Sequence, residues 1–543
     1  MDKLLLLGDE AIAQGAVDAG ISGVFAYPGT PSTEITEYIQ ASKEAKERHI
    51  VSQWSSNEKT AMETAIGMSY AGKRSLVCMK HVGLNVAADA FINSAITGAH
   101  GGLVVVSADD PSMHSSQNEQ DSRFYGKFAQ IPILEPSNQQ EAYDMTRYAF
   151  ALSERFGTPV LFRITTRLSH SRSGVGRGEV LPQNDMNLPS DLKQFILLPS
   201  IARKQYNTLL GKQLAFQEES EKSGFNKLYD GKDKSMGIVA CGIAYNYLLE
   251  NYRDGEIPYP VLKIGQYPIS RKLVREFYDQ VDSVLILEEG YPILEELFRG
   301  ILDEGKPVKG RMDSVLPRAG ELNPNIVGSA LGMEIAEGYD IPKVLKGRPP
   351  LLCDGCSHWD SFEALNEAMK DYSPGRVLSD IGCYTLSALP PLESINSCVD
   401  MGASITMAVG AAEAGMVPAV ATIGDSTFTH SGMTGLLDAV NRKVPITVVL
   451  LDNSTTGMTG GQDSAGTGKL EDIVKGIGVE EEHIRVIKPL RRLHDENVKV
   501  FKEELAYQGV SVIIPRRECV QTLARRMKLK HAKKKVTQEN SAQ

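Results

Sequence analysis

Short apolar runs of strand length alternate along this chain with stretches in which apolar residues recur every three or four positions. Between Asp9 and Pro159 the two periods follow one another in turn. Glu10 to Ala19 predicts a helix, Ile21 to Tyr27 a strand, and Pro28-Gly29-Thr30-Pro31-Ser32 a turn into a further helix. Glu58 to Ala71 predicts a helix whose small residues permit close packing. Ser75 to Met79 and Leu103 to Ser107 predict strands around a helix from Asn85 to Ala99. Asp109 to Tyr125 is a long polar loop, and such loops inside compact domains are often functional. From about residue 170 to 235 the alternation is lost, which predicts a linker with helical stretches. It resumes with strands Gly237 to Ala240, Val261 to Ile264 and Val284 to Glu288, giving a second, smaller α/β domain, and Gly310 to Pro350 reads as a connector. A third domain starts near Leu351 and ends at Val512-Ile513-Ile514. Beyond it, Arg525 to Lys535 is a basic tail, read as a solvated, frayed terminus or, more sharply, as a dock for an acidic electron carrier.

The third domain carries the most informative pattern. The run Ala419 to Ile423 ends at Gly424-Asp425-Ser426, and the run Ile446 to Leu451 ends at Asp452-Asn453, with Ser431 to Asn441 as the crossover helix between them. Two parallel strands so connected place both polar ends at one carboxyl edge, where α/β sheets bind their ligands. One carboxylate and one amide oxygen there suit a hard divalent ion such as Mg2+. Strand-end turns also favour Asp and Asn, so the pair gains weight from the glycine-rich Thr459-Gly460-Gly461-Gln462 that follows.

Length and composition narrow the class. A chain of 543 residues has room for about three domains. Its net charge of −10 argues against general nucleic-acid binding. Apolar stretches of strand length and a short Met1 to Leu7 run predict neither a membrane span nor a signal peptide, so the expected location is cytoplasmic. Seven cysteines in so long a chain do not make a secreted disulfide framework. Cys353-Asp354-Gly355-Cys356 is a weak signal alone, but Cys383 follows Asp380-Ile381-Gly382, and Cys519 follows the last strand. A redox pair, a zinc site with His358, or an iron–sulfur centre would each use these residues. Cys78, Cys241 and Cys398 read as core or incidental thiols.

The strand–GDS–helix–strand–DN–TGGQ pattern resembles the metal–diphosphate motif of thiamine-diphosphate enzymes. That resemblance implies Mg2+ held by Asp425, Asn453 and the Thr455 carbonyl, with Gly424, Ser426 and Thr459 beside the diphosphate. Further stretches are similar to 2-oxoacid:ferredoxin oxidoreductases, and over nearly its whole length to alpha subunits of the indolepyruvate ferredoxin oxidoreductase family. They are Gly8 to Ala13, YPGTPS from Tyr27, WSSNEK from Trp54, KHVGLNVAAD from Lys80, SQNEQDSR from Ser116, Leu287-Glu288-Glu289, CDGCSH, SDIGCYTL from Ser379 and GDSTFTHSG.

The resemblance implies a thiamine-diphosphate-binding α/β fold with two doubly wound parallel-sheet domains flanking a smaller one. Residues 1–185 would be a pyrimidine-binding-type domain and 186–235 a linker. Residues 236–345 would be a transketolase C-terminal-like domain, 351–520 the diphosphate and Mg2+ domain with the cluster cysteines, and 521–543 a basic tail. Glu58 would activate thiamine through its aminopyrimidine, with Glu63 as the fallback, and Thr30 would contact the oxoacid. Arg123 could bind the substrate carboxylate. Cys353, Cys356, Cys383 and Cys519 would hold a [4Fe–4S] cluster.

The implied reaction converts aryl pyruvates and coenzyme A to aryl-acetyl-CoA and CO2, with electrons passing to ferredoxin. A smaller beta subunit would complete an α2β2-like hetero-oligomer. The chain departs from the family pattern at Asp9, where asparagine is usual, and at Ser357, where proline is usual. It also shows no cysteine after Cys519, where a ferredoxin-like domain is expected. That last departure keeps a non-oxidative 2-oxoacid decarboxylase open as an alternative, alongside a non-catalytic assembly subunit.

Overall fold

Strand pairing follows the hydrophobic runs. The computed structural model describes residues 3–191, 194–252, 256–300, 305–317, 319–335, 338–347, 351–398, 401–413 and 415–528. The connector's end at Pro350 and the basic tail beyond residue 528 lie outside the described residues. Two compact units result, Met1–Tyr339 and Asp340–Gln543.

In the first unit a seven-stranded sheet has the order Gln266–Tyr267, Ile133–Leu134, Val160–Thr165, Leu103–Asp109, Ser75–Lys80, Gly23–Ala26, Val51–Trp54. All pairings are parallel except that of Gln266–Tyr267 with Ile133–Leu134. Leu103–Asp109 and Val160–Thr165 are buried at every position, as parallel strands covered by helices on both faces must be. A second sheet of five strands has the order Val308–Lys309, Val284–Leu287, Gly237–Cys241, Val261–Ile264, Lys227–Tyr229. Its strand Val261–Ile264 is followed at once by Gln266–Tyr267 of the first sheet, so the two sheets belong to one unit.

A buried charge network joins the two sheets. The Arg163 guanidinium, fully buried, lies 2.6 Å from Asp109 and 3.6 Å from Asp121, pairs with Glu135, and donates to the Glu289 carbonyl. Arg311 donates to the carbonyls of Glu288, Pro317 and Gly320, which folds the start of the connector back onto the second sheet. Burial pushes the Glu288 carboxyl up to about 7 against the pull of Arg123.

Local periodicity misses one pairing here. Lys3–Leu7 forms an antiparallel ribbon with Arg172–Gly176, in a stretch read as the start of the linker. Only Leu6 and Val175 of that ribbon are buried hydrophobics. So short a ribbon is defined by its distant partner rather than by its own pattern.

The second unit has a five-stranded, all-parallel sheet with the order Val377–Ser379, Ala419–Gly424, Ile446–Leu451, Ser511–Pro515, Ile484–Ile487. The crossover after Gly424 runs through a short helical turn, Asp425–Thr427, and a π-helical turn, Phe428–Gly432, before the helix Met433–Arg442; π-turns recur at functional sites. The tail's first part is not frayed. Residues 520–528 are helical, and Arg525 donates to the Gly460 carbonyl. Among the described residues no helix is long and apolar enough to cross a membrane.

Candidate active site

In the first unit Glu58 opens the helix Glu58–Tyr70, whose start is fixed by Asn57 accepting from the Thr60 N–H at 2.8 Å. Its side chain is buried, 4 % exposed, against the helix His81–Thr97. A Cβ placed on Gly83 would stand 2.6 Å from Glu58 Oε1, so only glycine leaves room for that carboxylate. Glu63, the fallback, is exposed and ion-paired with Lys59 one turn away. Of the two glutamates, Glu58 is the buried one.

The turn at Thr30 is held from inside. Ser32 Oγ donates to the Gly29 carbonyl at 2.8 Å, and the Gly29 N–H donates to Thr33 Oγ1 at 3.0 Å. Both side chains tie the turn together, and Ser32, at the N-cap position, makes no capping bond. The polar loop after Asp109 closes over this turn. Asp110 gathers the Ser115 N–H and the hydroxyls of Ser116 and Thr166, while Ser115 Oγ donates to the Thr30 carbonyl at 3.2 Å.

Lys80 is the residue that sequence reasoning missed, although it begins one of the quoted motifs. Its stem lies against Gly29, and its ammonium donates to the Ser115 carbonyl at 3.0 Å. Burial pulls its pKa down to about 8, opposed by the carboxylates of Asp110 and Glu58. A cation beside the Thr30 turn is thus present, and it comes from a strand end rather than from the loop.

Arg123 is a correction. A loop arginine able to meet a substrate carboxylate was expected, but Arg123 has 0 % exposure. It is paired with Asp121 at 2.5 Å and Glu288 at 3.0 Å, lies 3.8 Å from Glu135, and also donates to the carbonyls of Glu289 and Tyr291. Desolvating a guanidinium is costly unless carboxylates surround it. These do, and they leave none of its donors directed at a substrate. The residue cements the two sheets of its unit.

In the second unit the in-register pair Gly424–Leu451 sets Asp425 beside the Asp452-Asn453 end of the next strand. Asp425 is 2 % exposed, and its Oδ2 has no hydrogen-bond partner. Burial, with the neighbouring Asp452 carboxylate, pushes this carboxyl up to about 7. An orphaned buried oxygen of this kind fits a divalent cation. Asn453 Oδ1 accepts from the Thr455 N–H at 3.1 Å, and Ser426 Oγ lies 2.9 Å from Thr456 Oγ1. Thr455–Thr456 then pairs with Gln462–Asp463 across a turn bonded by Thr459 and Gln462. Gly460 and Gly461, at φ 121° and 95°, occupy backbone conformations that side chains avoid.

The four selected cysteines converge. Cys353, Cys356, Cys383 and Cys519 line one cavity of about 170 Å3 together with Asn453, His358 and Gly457. Burial first, then the surrounding thiols, push Cys383 up to about 12. The Cys519 N–H donates to the Asn453 carbonyl at 3.1 Å, coupling the last thiol to the metal-type loop. Arg517 donates to the Gly355 carbonyl at 2.9 Å and pairs with Asp360, which fastens the CxxC turn to the end of the last strand. His358 faces the same cavity, but its Nε2 lies 3.2 Å from the Asn453 amide, and burial holds its imidazole down to about 4. An imidazole so engaged favours an all-thiolate site over one using histidine. Cys78 and Cys241 are buried core thiols, and Cys398 lies outside the cavity.

The chain is similar to known thiamine-diphosphate proteins. Residues 14–192 match the family described as "Pyruvate flavodoxin/ferredoxin oxidoreductase, thiamine diP-bdg". Residues 380–514 match "Thiamine pyrophosphate enzyme, C-terminal TPP binding domain". The chain is 40 % identical to "Indolepyruvate oxidoreductase subunit IorA" of Archaeoglobus fulgidus, over 99 % of this chain and 90 % of that one. Its identity to the Pyrococcus abyssi protein of the same name is 38 %, over 95 % and 86 %. A more distant relative, "2-oxoglutarate synthase subunit KorA" of Archaeoglobus fulgidus, is 29 % identical over 53 % of this chain and 88 % of its own.

Proposed function

The chain belongs to the family of indolepyruvate oxidoreductase IorA subunits, which are thiamine-dependent 2-oxoacid oxidoreductases, and on that premise we propose an aryl-pyruvate substrate. In the proposed reaction an aryl pyruvate and coenzyme A give aryl-acetyl-CoA and CO2, and the two electrons released leave singly for ferredoxin. Cys353, Cys356, Cys383 and Cys519 would hold a [4Fe–4S] cluster, which would supply one-electron transfer, and Asp425, Asn453 and Thr455 would hold Mg2+. A beta subunit completes the hetero-oligomer. The observation that carries this reading is the shared wall of the four-thiol cavity and the Asn453 loop, beside the orphaned Asp425 oxygen.

When bound, thiamine diphosphate supplies the electron sink that decarboxylation needs. The chain's residues supply the rest. Glu58, buried and confined by Gly83, would meet the aminopyrimidine edge and exchange a proton there. Thr30 and Lys80 orient the oxoacid, with Lys80 replacing Arg123 as the cation for its carboxylate. Ser426, Thr459 and the Gly424 turn border the diphosphate.

The direct test uses anaerobic chain assembled with its partner subunit. Reduction of methyl viologen should require both CoA and an aryl pyruvate. Equal rates with pyruvate would remove the aromatic assignment, and thiamine without iron would move the chain to non-oxidative decarboxylation. Glu58→Gln should lower turnover by about 10^2- to 10^4-fold, the range of a general acid–base contribution, while thiamine content stays at the parent level.

For Lys80 the sign of the pH effect follows from its charge. The ammonium is the binding form, so oxoacid capture persists below about pH 8 and declines as pH rises through that value. Lys80→Met should cost roughly tenfold to a hundredfold in kcat/KM, the worth of a charged hydrogen bond of about 1.5–3 kcal/mol. Lys80→Arg should move the alkaline fall to higher pH. An unchanged profile in Lys80→Arg would remove Lys80 from substrate binding.

A further inference from the structure

A second group of possible metal ligands lies in the first unit, apart from the residues given roles above. Asp9 sits at the start of the helix Gly8–Asp18, Glu34 in the first turn of the helix Thr33–Ala41, and His170 at the end of the helix Thr166–His170. One ligand atom from each lies within 4.8 Å of the other two. His170 Nε2 is 3.6 Å from Glu34 Oε2, and the imidazole reaches solvent.

Asp9 makes this more than an acidic cluster. Its side chain has 0 % exposure, and neither carboxylate oxygen has a hydrogen-bond partner. Glu34 Oε2 faces the same point, with the His170 imidazole beside it. The nearby Ser169 hydroxyl is itself without a partner, and burial together with the Glu34 charge pushes the Asp9 carboxyl well up. A buried carboxylate without donors is costly, and Asp9 is one; Glu34, a third exposed, is held low by His170 and adds its negative charge beside it. A divalent ion would neutralise both and leave His170 to complete the donor set from the solvent side.

We propose that Asp9, Glu34 and His170 form a binding site for a divalent transition-metal ion of the zinc class. Two carboxylate oxygens and one imidazole nitrogen are a donor set that Zn2+ accepts with water in its remaining position. The site would tie together the three helices that carry its ligands. One of them, Thr33–Ala41, begins three residues after Thr30. The bound ion would therefore fix the turn at which the oxoacid is oriented.

The test compares the parent full chain with Asp9→Asn and His170→Ala, each dialysed against Zn2+ with Mg2+ and thiamine diphosphate present. Thiols of the four-cysteine cavity would compete for zinc in both parent and variants, so the readout is the difference between proteins. The parent should retain one more zinc per chain than either variant. Added Zn2+ should raise its Tm by several degrees more than theirs. Asp9→Asn is isosteric and His170 is on the surface, so both should fold; their Tm in chelator checks this. Equal zinc content and equal Tm shifts in all three proteins would overturn the site and leave Asp9 as a protonated acid. Parent-level zinc in His170→Ala would overturn it as well.

Discussion

Asp425→Asn should abolish magnesium-dependent binding of thiamine diphosphate while leaving the apo chain at least as stable as the parent. The two effects separate because they have different causes. The substitution removes a formal charge from a position where Oδ2 meets no donor, so the folded chain without ligand loses a desolvation penalty. It also removes the only carboxylate among Asp425, Asn453 and Thr455, on which a hard divalent ion depends most. Loss of outer partners alone costs metal sites about 10- to 100-fold in affinity, so loss of this ligand should cost at least about a hundredfold. Turnover should fall with cofactor occupancy. Calorimetric titration with Mg2+ and thiamine diphosphate, beside thermal unfolding of apo protein, measures both. Parent-like cofactor affinity in Asp425→Asn would detach the metal from this strand end.

Arg163→Met should destabilise the first unit by about 3–5 kcal/mol, the typical result of removing one partner from a buried ion network. The side chains are similar in length, so the loss is electrostatic rather than a cavity. Asp109 and Glu135 would lose their closest cation, and the Glu289 carbonyl its donor. For a unit of 339 residues, with roughly 2.1 cal/mol/K of unfolding entropy per residue, each kcal/mol lowers Tm by about 1.4 °C, so a fall of about 4–7 °C is expected. Lys59→Ala is the comparison, because it breaks an exposed pair worth about 0–1 kcal/mol. A similar small loss in both variants would show that water or rearranged partners compensate at Arg163.

Much of the second unit was legible in the sequence because its evidence is local. The runs Ala419–Gly424 and Ile446–Leu451 are continuous and apolar, so their parallel pairing and the proximity of Asp425 to Asn453 follow from one crossover rule. The cysteines were legible in another way. Cys353 and Cys356 signal by spacing, but Cys383 and Cys519 joined them only through family resemblance, and the common cavity is a property of packing. Arg123 shows where local reading fails. Sequence places it in a polar loop, where arginines are usually solvated, while the fold buries it between Asp121, two residues before it, and Glu135 and Glu288 from distant segments.

By itself the sequence determined the α/β class, the strand ends that carry the metal-type pair, and membership in a thiamine-dependent oxidoreductase family. Those depend on hydrophobic period and on residues close together in the chain. Only the tertiary structure decided that Glu58 rather than Glu63 is buried, that Lys80 rather than Arg123 is the cation at the Thr30 turn, and that Asp9 meets Glu34 and His170. The reason is common to all three. The charge state and reach of a side chain are set by desolvation and by partners brought from distant segments, and neither is encoded in the few residues on either side of it.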